Sequence, residues 1–184
     1  SDKLRWVGNT NELNAGYAAA GYARERRFAA MVTTFGVGEL SAINATAGSY
    51  AEYAPVLHIV GAPNTQLRDG KRRLHHSLGD GVFNHFIKRG EPVSVARAEI
   101  TAENAASEID RGIRMVLKKQ RPGYLLLSPD VAKLPIYRPT TQLKDSEEDI
   151  TSQDALADFK KELSSYIEGK ATTLIADLMV HRLG

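Results

Sequence analysis

Apolar residues in the first two thirds of the chain fall into short blocks that alternate with longer, mixed stretches. Three blocks are nearly continuous in apolar character, namely FAAMVTT at 28–34, PVLHIVGAP at 55–63 and PGYLLLSP at 122–129. Runs of this length are typical of strands that are buried on both faces. KLRWVG at 3–8 also reads as a short strand, and PVSVARAE at 92–99 alternates as a strand with one solvent-exposed face does.

The stretches between these blocks repeat their apolar residues every three or four positions, which predicts helices at 10–25, 37–52 and 101–120. At the start of the last helix, Thr101 and Asn104 have nearly the pattern of a capping box. Short strands separated by longer helices are typical of a parallel sheet that helices cover on both faces. The predicted fold class is therefore α/β.

The composition changes after the last of these strands. The stretch LPIYRPTTQLKDSEEDITSQ contains two prolines and many polar residues without periodicity, which is typical of a linker. DALADFKKELSSYIEG then predicts a helix, and ATTLIADLMV at 171–180 predicts a strand. We expect a first domain at 1–139, a linker at 140–153 and the truncated start of a second domain at 154–184, because one helix and one strand cannot bury a core.

Charge and composition narrow the class of protein. Lys and Arg number 24 against 22 acidic residues, a balance too even to favour nucleic acid as a partner. The basic run RDGKRR at 68–73 is typical of a solvated turn, with phosphate binding as the alternative. The chain has no cysteine, which excludes disulfides and thiolate zinc sites. No apolar run approaches the roughly 20 residues of a membrane span, and SDKLRWVG lacks the order of a signal peptide, so we expect a cytoplasmic protein.

One carboxylate stands where a tightly packed helix begins. Glu12 follows two asparagines in NTNELNAGYAAAGYAR, and Leu13, Tyr17 and Ala20 mark the buried face of that helix. The residue either caps the helix in contact with solvent or points at a bound group.

Gly36 and Gly38 lie between a predicted strand and a predicted helix, where dinucleotide-binding folds keep a glycine fingerprint. The third position of that fingerprint is Ser41, and no acidic residue follows about 20 residues later at a strand end, so a nicotinamide site is disfavoured. The glycines more simply let the backbone pass close to a neighbouring group.

The chain contains one pair of adjacent histidines, His75 and His76, in LHHSLGDG. Neighbouring residues on a regular element point apart, which disfavours a shared metal. The pair is either part of a surface turn or a pair of proton donors near neutral pH. His58, within a predicted buried strand, is interpreted as a hydrogen-bonded core residue.

Five blocks of the sequence occur in a specific order and spacing: GNTNELNAGYAAAGYAR, TTFGVGELSAINATAGSYAE, PVLHIVGAP, LHHSLGDG and RPGYLLLSPDVAK. In this arrangement the chain resembles the N-terminal part of the thiamine diphosphate-dependent 2-keto acid decarboxylases, which include pyruvate, indolepyruvate and phenylpyruvate decarboxylases. The resemblance implies a pyrimidine-binding domain at 1–139 and the start of a middle domain. It also implies non-oxidative decarboxylation of a 2-keto acid to an aldehyde and CO₂, with thiamine diphosphate and Mg²⁺ as cofactors. The metal and diphosphate site would lie in a C-terminal domain outside this chain, and the protein would be a homodimer or homotetramer.

The resemblance also assigns roles to single residues. Glu12 matches the family's indispensable carboxylate, which accepts a hydrogen bond from the protonated ring nitrogen of the aminopyrimidine. His75 and His76 match paired active-site histidines that orient the substrate carboxylate and transfer protons. Thr34 matches a threonine that lines the same cavity, and Asn11 and Gly36 are neighbours of the cofactor.

Two other functions compete with this hypothesis. One is a carboligase of the same cofactor superfamily, such as an acetolactate synthase, against which the HH pair argues. The other is a truncated paralogue that serves only as an assembly module. Under the leading hypothesis, this chain alone is expected to be inactive as a decarboxylase and to self-associate through its uncovered apolar surface.

Overall fold

The computed structural model describes residues 4–136 and 153–173. The chain divides into two compact units, Ser1–Leu143 and Lys144–Gly184. Most of the predicted linker at 140–153 and of the predicted strand at 171–180 lies outside the described residues. The predicted limits of the two domains therefore stay predictions.

The first unit contains a four-stranded sheet in which every paired strand is parallel, with the order β1-β2-β4-β3. This confirms the predicted α/β class with a parallel sheet. The strands are β1 (Ala29–Thr34), β2 (Val56–Gly61), β3 (Ala96–Ile100) and β4 (Gly123–Leu127).

Six helices accompany the sheet in the described part of this unit. They are α1 (Glu12–Arg26), α2 (Val37–Ser41), α3 (Ile43–Ala51), α4 (Thr65–Asp69), α5 (His85–Arg89) and α6 (Ala105–Lys119). The predicted helix at 37–52 is thus two helices, α2 and α3, which meet at Ala42. The short helices α4 and α5 were not predicted, since neither is long enough to give a periodic pattern.

Helices cover both faces of the sheet. Val56 of β2 packs with alanines of α1, whereas the next residue, Leu57, packs with Val116 of α6. Successive strand residues point to opposite faces, so α1 and α6 lie on opposite sides. Small residues let the helices approach closely: a Cβ on Gly16 of α1 would lie 2.5 Å from the Cβ of Ala45 in α3.

Two strand predictions need correction. The predicted strand at 3–8 is wrong, because described residues 4–8 form no strand and Leu4 and Trp6 are 84% and 79% exposed. This segment pairs with no strand of the described sheet, and a short strand-like sequence alone does not supply the ladder of hydrogen bonds that a strand needs. The strand predicted at 92–99 begins later, at Ala96, because Pro92 lies in a 3₁₀ turn at Glu91–Val93.

The helix predicted at 101–120 begins only at Ala105, with Asn104 rather than Thr101 as its N-cap, although Thr101 and Asn104 do pair just before the helix. The Thr101 amide donates to Asn104 Oδ1 at 2.8 Å, and the Asn104 amide donates to Thr101 Oγ1 at 3.3 Å. These reciprocal hydrogen bonds close the turn that leads from β3 into α6.

In the second unit the predicted helix is confirmed as α7 (Gln153–Ile167). Its apolar residues Phe159, Leu163 and Tyr166 recur every three or four positions and are exposed. None of the helices within residues 4–136 and 153–173 combines the length and apolar character that a bilayer crossing requires.

His58 lies in the core, as predicted, and should make stability depend on pH. It is 3% exposed, its Nε2 lies 2.8 Å from Thr33 Oγ1, and burial lowers its pKa to about 4. Between about pH 6.5 and 4, His58 is therefore protonated in the unfolded chain but stays neutral in the folded chain. The free energy of unfolding consequently falls as the pH falls. We expect a loss of about 3 kcal/mol across this window, measured by urea unfolding.

His58→Gln, which keeps a polar partner for Thr33 but does not titrate, is the matched variant for this prediction. Burial raises the pKa of Glu39, which acts in the opposite direction in both proteins. The difference between the two pH profiles therefore isolates His58. Parallel profiles for the two proteins would contradict the prediction.

Candidate active site

The carboxyl edge of the parallel sheet is where α1, β1 and α2 meet. The connection from Arg26 of α1 to Ala29 of β1 is short, so it joins the two elements at the amino edge of the sheet. The other end of α1, at Glu12, therefore lies at the carboxyl edge, near the end of β1 at Thr34. Ligands of open α/β sheets bind in the crevice outside this edge.

Glu12 is the first residue of α1, but it is not the residue that caps the helix. Asn11 is the N-cap, and its Oδ1 accepts a hydrogen bond from the Asn14 amide at 2.9 Å. The Glu12 side chain is half-buried and has no hydrogen bond or ion pair with the residues that the structure describes. Of the two interpretations of Glu12, the capping role thus belongs to its neighbour.

Glu12, Thr34 and Gly38 converge on one small region. A Cβ built on Gly38 would lie 2.7 Å from Thr34 Cγ2 and 3.1 Å from Glu12 Oε1. Any residue larger than glycine at this position would press on the carboxylate and on the threonine methyl group. The glycine therefore lets the first turn of α2 approach the carboxylate closely, as the predicted close approach of the backbone requires.

Gly36 brings the histidine segment to the same turn. Its φ is 63°, in the region that favours glycine, and a Cβ there would lie only 1.7 Å from the His76 carbonyl oxygen. The backbone of His76 thus packs directly against the connection between β1 and α2. The β1–α2 connection therefore contacts Glu12 through Gly38 and the His76 backbone through Gly36, and a shared site for these residues stays a prediction.

The histidine pair itself forms an exposed turn with an irregular backbone. His76 has φ 66°, and the His75 and His76 rings meet edge to face with centroids 4.4 Å apart. Ser77 Oγ donates to the Leu74 carbonyl at 2.5 Å and accepts from the Gly79 amide at 3.2 Å, which closes the turn. The surface turn predicted as one alternative is present, and the proton-donor role stays a prediction.

A buried pair behind this turn, Glu39 and Tyr124, was not predicted. Glu39 is 5% exposed; its Oε1 accepts from the Gly36 amide at 2.9 Å and its Oε2 accepts from the Tyr124 hydroxyl at 2.7 Å. Burial raises the pKa of Glu39, while the hydrogen bonds from Tyr124 and Gly36 oppose that shift. Glu39 is the third residue of α2, the position from which a glutamate side chain accepts from the N-cap amide in a capping box. This spacing from Gly36 was the sequence signal available for the Glu39–Gly36 contact.

Arg68, the first residue of the basic run at 68–73, has structural partners. It lies in α4, forms an ion pair with Glu99 and donates to Ser128 Oγ at 3.1 Å. Within residues 4–136 and 153–173, no group of three or more His, Asp or Glu side chains is placed to hold a metal ion.

Replacing Gly36 by alanine should destabilise the protein strongly. The new Cβ would overlap the His76 carbonyl oxygen and would force a non-glycine residue to keep φ at 63°. Backbone strain and overpacking together should lower the free energy of unfolding by roughly 2–5 kcal/mol, measured by urea unfolding.

Gly48→Ala is the matched control, because a Cβ at Gly48 in α3 meets no atom within 4 Å. Alanine is the better helix former, so this variant should gain up to about 1 kcal/mol. Wild-type stability of Gly36→Ala would show that the turn is not as constrained as its contacts imply.

Comparison with known proteins gives consistent matches. Residues 1–87 match the family model described as thiamine pyrophosphate enzyme, N-terminal TPP binding domain. The chain is 54% identical over 180 residues to the alpha-keto-acid decarboxylase of Mycobacterium leprae (strain TN), covering 98% of this chain and 32% of that protein. It is 52% identical over 181 residues to the alpha-keto-acid decarboxylase of Mycobacterium avium (strain 104), with the same shares covered. The chain thus spans about a third of the length of these relatives.

Proposed function

We propose that this chain, which belongs to the thiamine pyrophosphate enzymes, supplies the pyrimidine-activating half of the active site of a 2-keto acid decarboxylase. The reaction is non-oxidative cleavage of a 2-keto acid to an aldehyde and CO₂. The observation that carries the proposal is the half-buried Glu12 carboxylate, which lies against Gly38 and leaves helix capping to Asn11. A carboxylate of this kind is available to a ligand rather than committed to the fold.

The residues around Glu12 fit the pyrimidine end of thiamine diphosphate. Glu12 offers a charged acceptor for a protonated ring nitrogen, and charge-assisted hydrogen bonds of this kind contribute roughly 1.5–3 kcal/mol. Asn11 is the N-cap of α1, and Thr34 and Gly36 lie at the end of β1 and in the turn after it; in this proposal all three line the ring. When bound, the cofactor supplies the thiazolium that holds the electrons left by the departing CO₂. Glu12 would keep the proton on the pyrimidine nitrogen.

His75 and His76 would act on the substrate. Both rings are exposed beside the turn at Gly36, and each ring nitrogen can donate or accept a hydrogen bond according to its protonation. We assign them the orientation of the substrate carboxylate and the delivery of a proton to the carbon from which CO₂ departs. An imidazole suits this work because it can both donate and accept a proton.

The rest of the site would come from sequence beyond this chain. We propose that Mg²⁺ and the diphosphate are held in that part of a longer protein, as expected for a chain that spans 32% of its relatives. We also propose assembly as a homodimer or homotetramer, in which a second subunit contributes the remaining residues that bind the cofactor. The cytoplasmic location stays an expectation from composition.

The test is an assay on the longer protein that carries this chain. Purified enzyme is stripped of cofactor and then supplied with thiamine diphosphate, Mg²⁺ and a panel of 2-keto acids, with aldehyde and CO₂ measured separately. Release of both in equal amounts, only when the cofactor is restored, is the expected result. Formation of acetohydroxy acids instead would assign the protein to the carboligases. No turnover with any 2-keto acid would favour a non-catalytic assembly module.

A further inference from the structure

The hydrogen bonds of Glu39, in α2, connect the turn before that helix to β4. Its two carboxylate oxygens accept from the Gly36 amide, in the turn after β1, and from the Tyr124 hydroxyl, on β4. Glu39 and Tyr124 are both buried, at 5% and 5% exposed. The pair lies 85 residues apart in sequence, so this contact ties the turn to the middle of the sheet.

The turn fixed in this way carries the histidine segment. Gly36 has φ 63° and ψ −98°, and its Cα faces the His76 carbonyl so closely that there is no room for a Cβ. A change in the backbone at Gly36 must therefore move His76. The packing provides a second link, because Leu74, two residues before His76, packs against the cluster that contains Phe35, Phe86 and Tyr124.

We propose that Glu39 and Tyr124 form a buried brace that holds the Gly36 turn and thereby positions His76. Glu39 is a positioning residue in this assignment, since its hydrogen bonds go to the Gly36 amide and the Tyr124 hydroxyl and it acts on His76 only through Gly36. The role of His76 rests on the function proposed above, whereas the brace itself rests on the contacts alone.

Helix capping alone does not account for this arrangement. A cap needs only one carboxylate oxygen on the Gly36 amide, and α2 is five residues long. The second oxygen is instead committed to a buried tyrosine on a different strand. Burying a carboxylate is costly unless its oxygens are hydrogen-bonded, so each of the two contacts offsets part of the cost of burying Glu39. The consequence is a turn whose position is fixed relative to β4.

The test compares Glu39→Ala, Tyr124→Phe and Glu39→Gln with the wild type. Glu39→Ala should speed hydrogen exchange of the Gly36 amide at least about tenfold, because that amide loses its acceptor. It should also shift the ring resonances of His76 and lower kcat by about 10–100-fold with a smaller change in KM, as misplacement of a catalytic group does. Tyr124→Phe should move all of these signals in the same direction by less. Glu39→Gln keeps an acceptor for the Gly36 amide and should restore most of the wild-type behaviour.

Asn104→Ala is the control, since it removes the reciprocal hydrogen bonds with Thr101 in the turn before α6, and neither of these bonds involves Gly36. It should lower the melting temperature and leave the His76 resonances and kcat unchanged. If Glu39→Ala lowers the melting temperature but leaves the His76 resonances in place, Glu39 is a cap only and the brace is refuted. If Glu39→Ala does not fold, Tyr124→Phe tests the brace through the same three measurements, namely exchange of the Gly36 amide, the His76 ring resonances and kcat. A wild-type protein without turnover would refute the proposed function, while Gly36 exchange and the His76 resonances would still decide on the brace.

Discussion

Replacing His75 or His76 by phenylalanine is expected to lower decarboxylase turnover by about 10²–10⁴-fold, the contribution typical of a general acid or base. The change should leave exchange of the proton on the thiazolium carbon near its wild-type rate, because the histidines are assigned to the substrate and Glu12 to activation of the cofactor. Stability should change by no more than about 0.5 kcal/mol, as is usual for exposed positions. The measurements are steady-state turnover and deuterium exchange on the assembled enzyme.

His85→Phe is the matched control for these variants. His85 is also partly exposed and lies in the same region of sequence, but its Nε2 is paired with Asp80 Oδ2 at 2.7 Å. Loss of an exposed pair of this kind has little effect on stability, and turnover should stay at the wild-type level. If His75→Phe or His76→Phe slows thiazolium exchange as much as turnover, the histidines serve cofactor activation and the assigned role is wrong.

The parts of the fold that were predictable from sequence are those whose signal is local. The apolar runs of β2 and β4 mark buried strands directly, and Thr101 and Asn104 pair within four residues of chain in the turn before α6. The segment at 4–8 also reads as a strand from its sequence, but it forms no strand in the structure. A strand requires a neighbour to pair with, and the pattern of a single segment does not contain that information.

The parts of the candidate site that could be picked out from the sequence are positions where the structure leaves room for only one residue type or where a charge stands out from its surroundings. Gly36 and Gly38 stand out because only glycine fits against His76 and Glu12, and Glu12 stands out as a charge at the start of an alanine-rich helix. Glu39 was missed because its partner Tyr124 is 85 residues away and tertiary contacts of this kind leave no periodic signal. The contact between the His75 and His76 rings was missed for a different reason, since φ of 66° at His76 breaks the rule for regular elements.

Glu12→Gln should abolish most of the activity while leaving the fold intact. Glutamine keeps the size of the side chain and one acceptor oxygen, but it removes the negative charge that would hold a proton on the pyrimidine. Exchange at the thiazolium carbon and decarboxylation should therefore slow together by about 10²–10⁴-fold, which corresponds to roughly 3–5.5 kcal/mol of transition-state stabilisation. Joint loss of both rates separates this variant from the histidine variants, in which exchange persists.

The stability of Glu12→Gln decides between a chemical and a structural role for this carboxylate. Asn11 provides the cap of α1, so removing the charge at Glu12 should cost at most about 1 kcal/mol through the helix dipole. Glu25→Gln, at an exposed position on the same helix, removes an equal charge away from the carboxyl edge and should change neither exchange nor turnover. A structural role predicts the reverse for Glu12→Gln, with a lowered melting temperature and normal exchange. That outcome would refute the assignment of Glu12, because a carboxylate needed only by the helix cannot set the rate of proton loss from the cofactor.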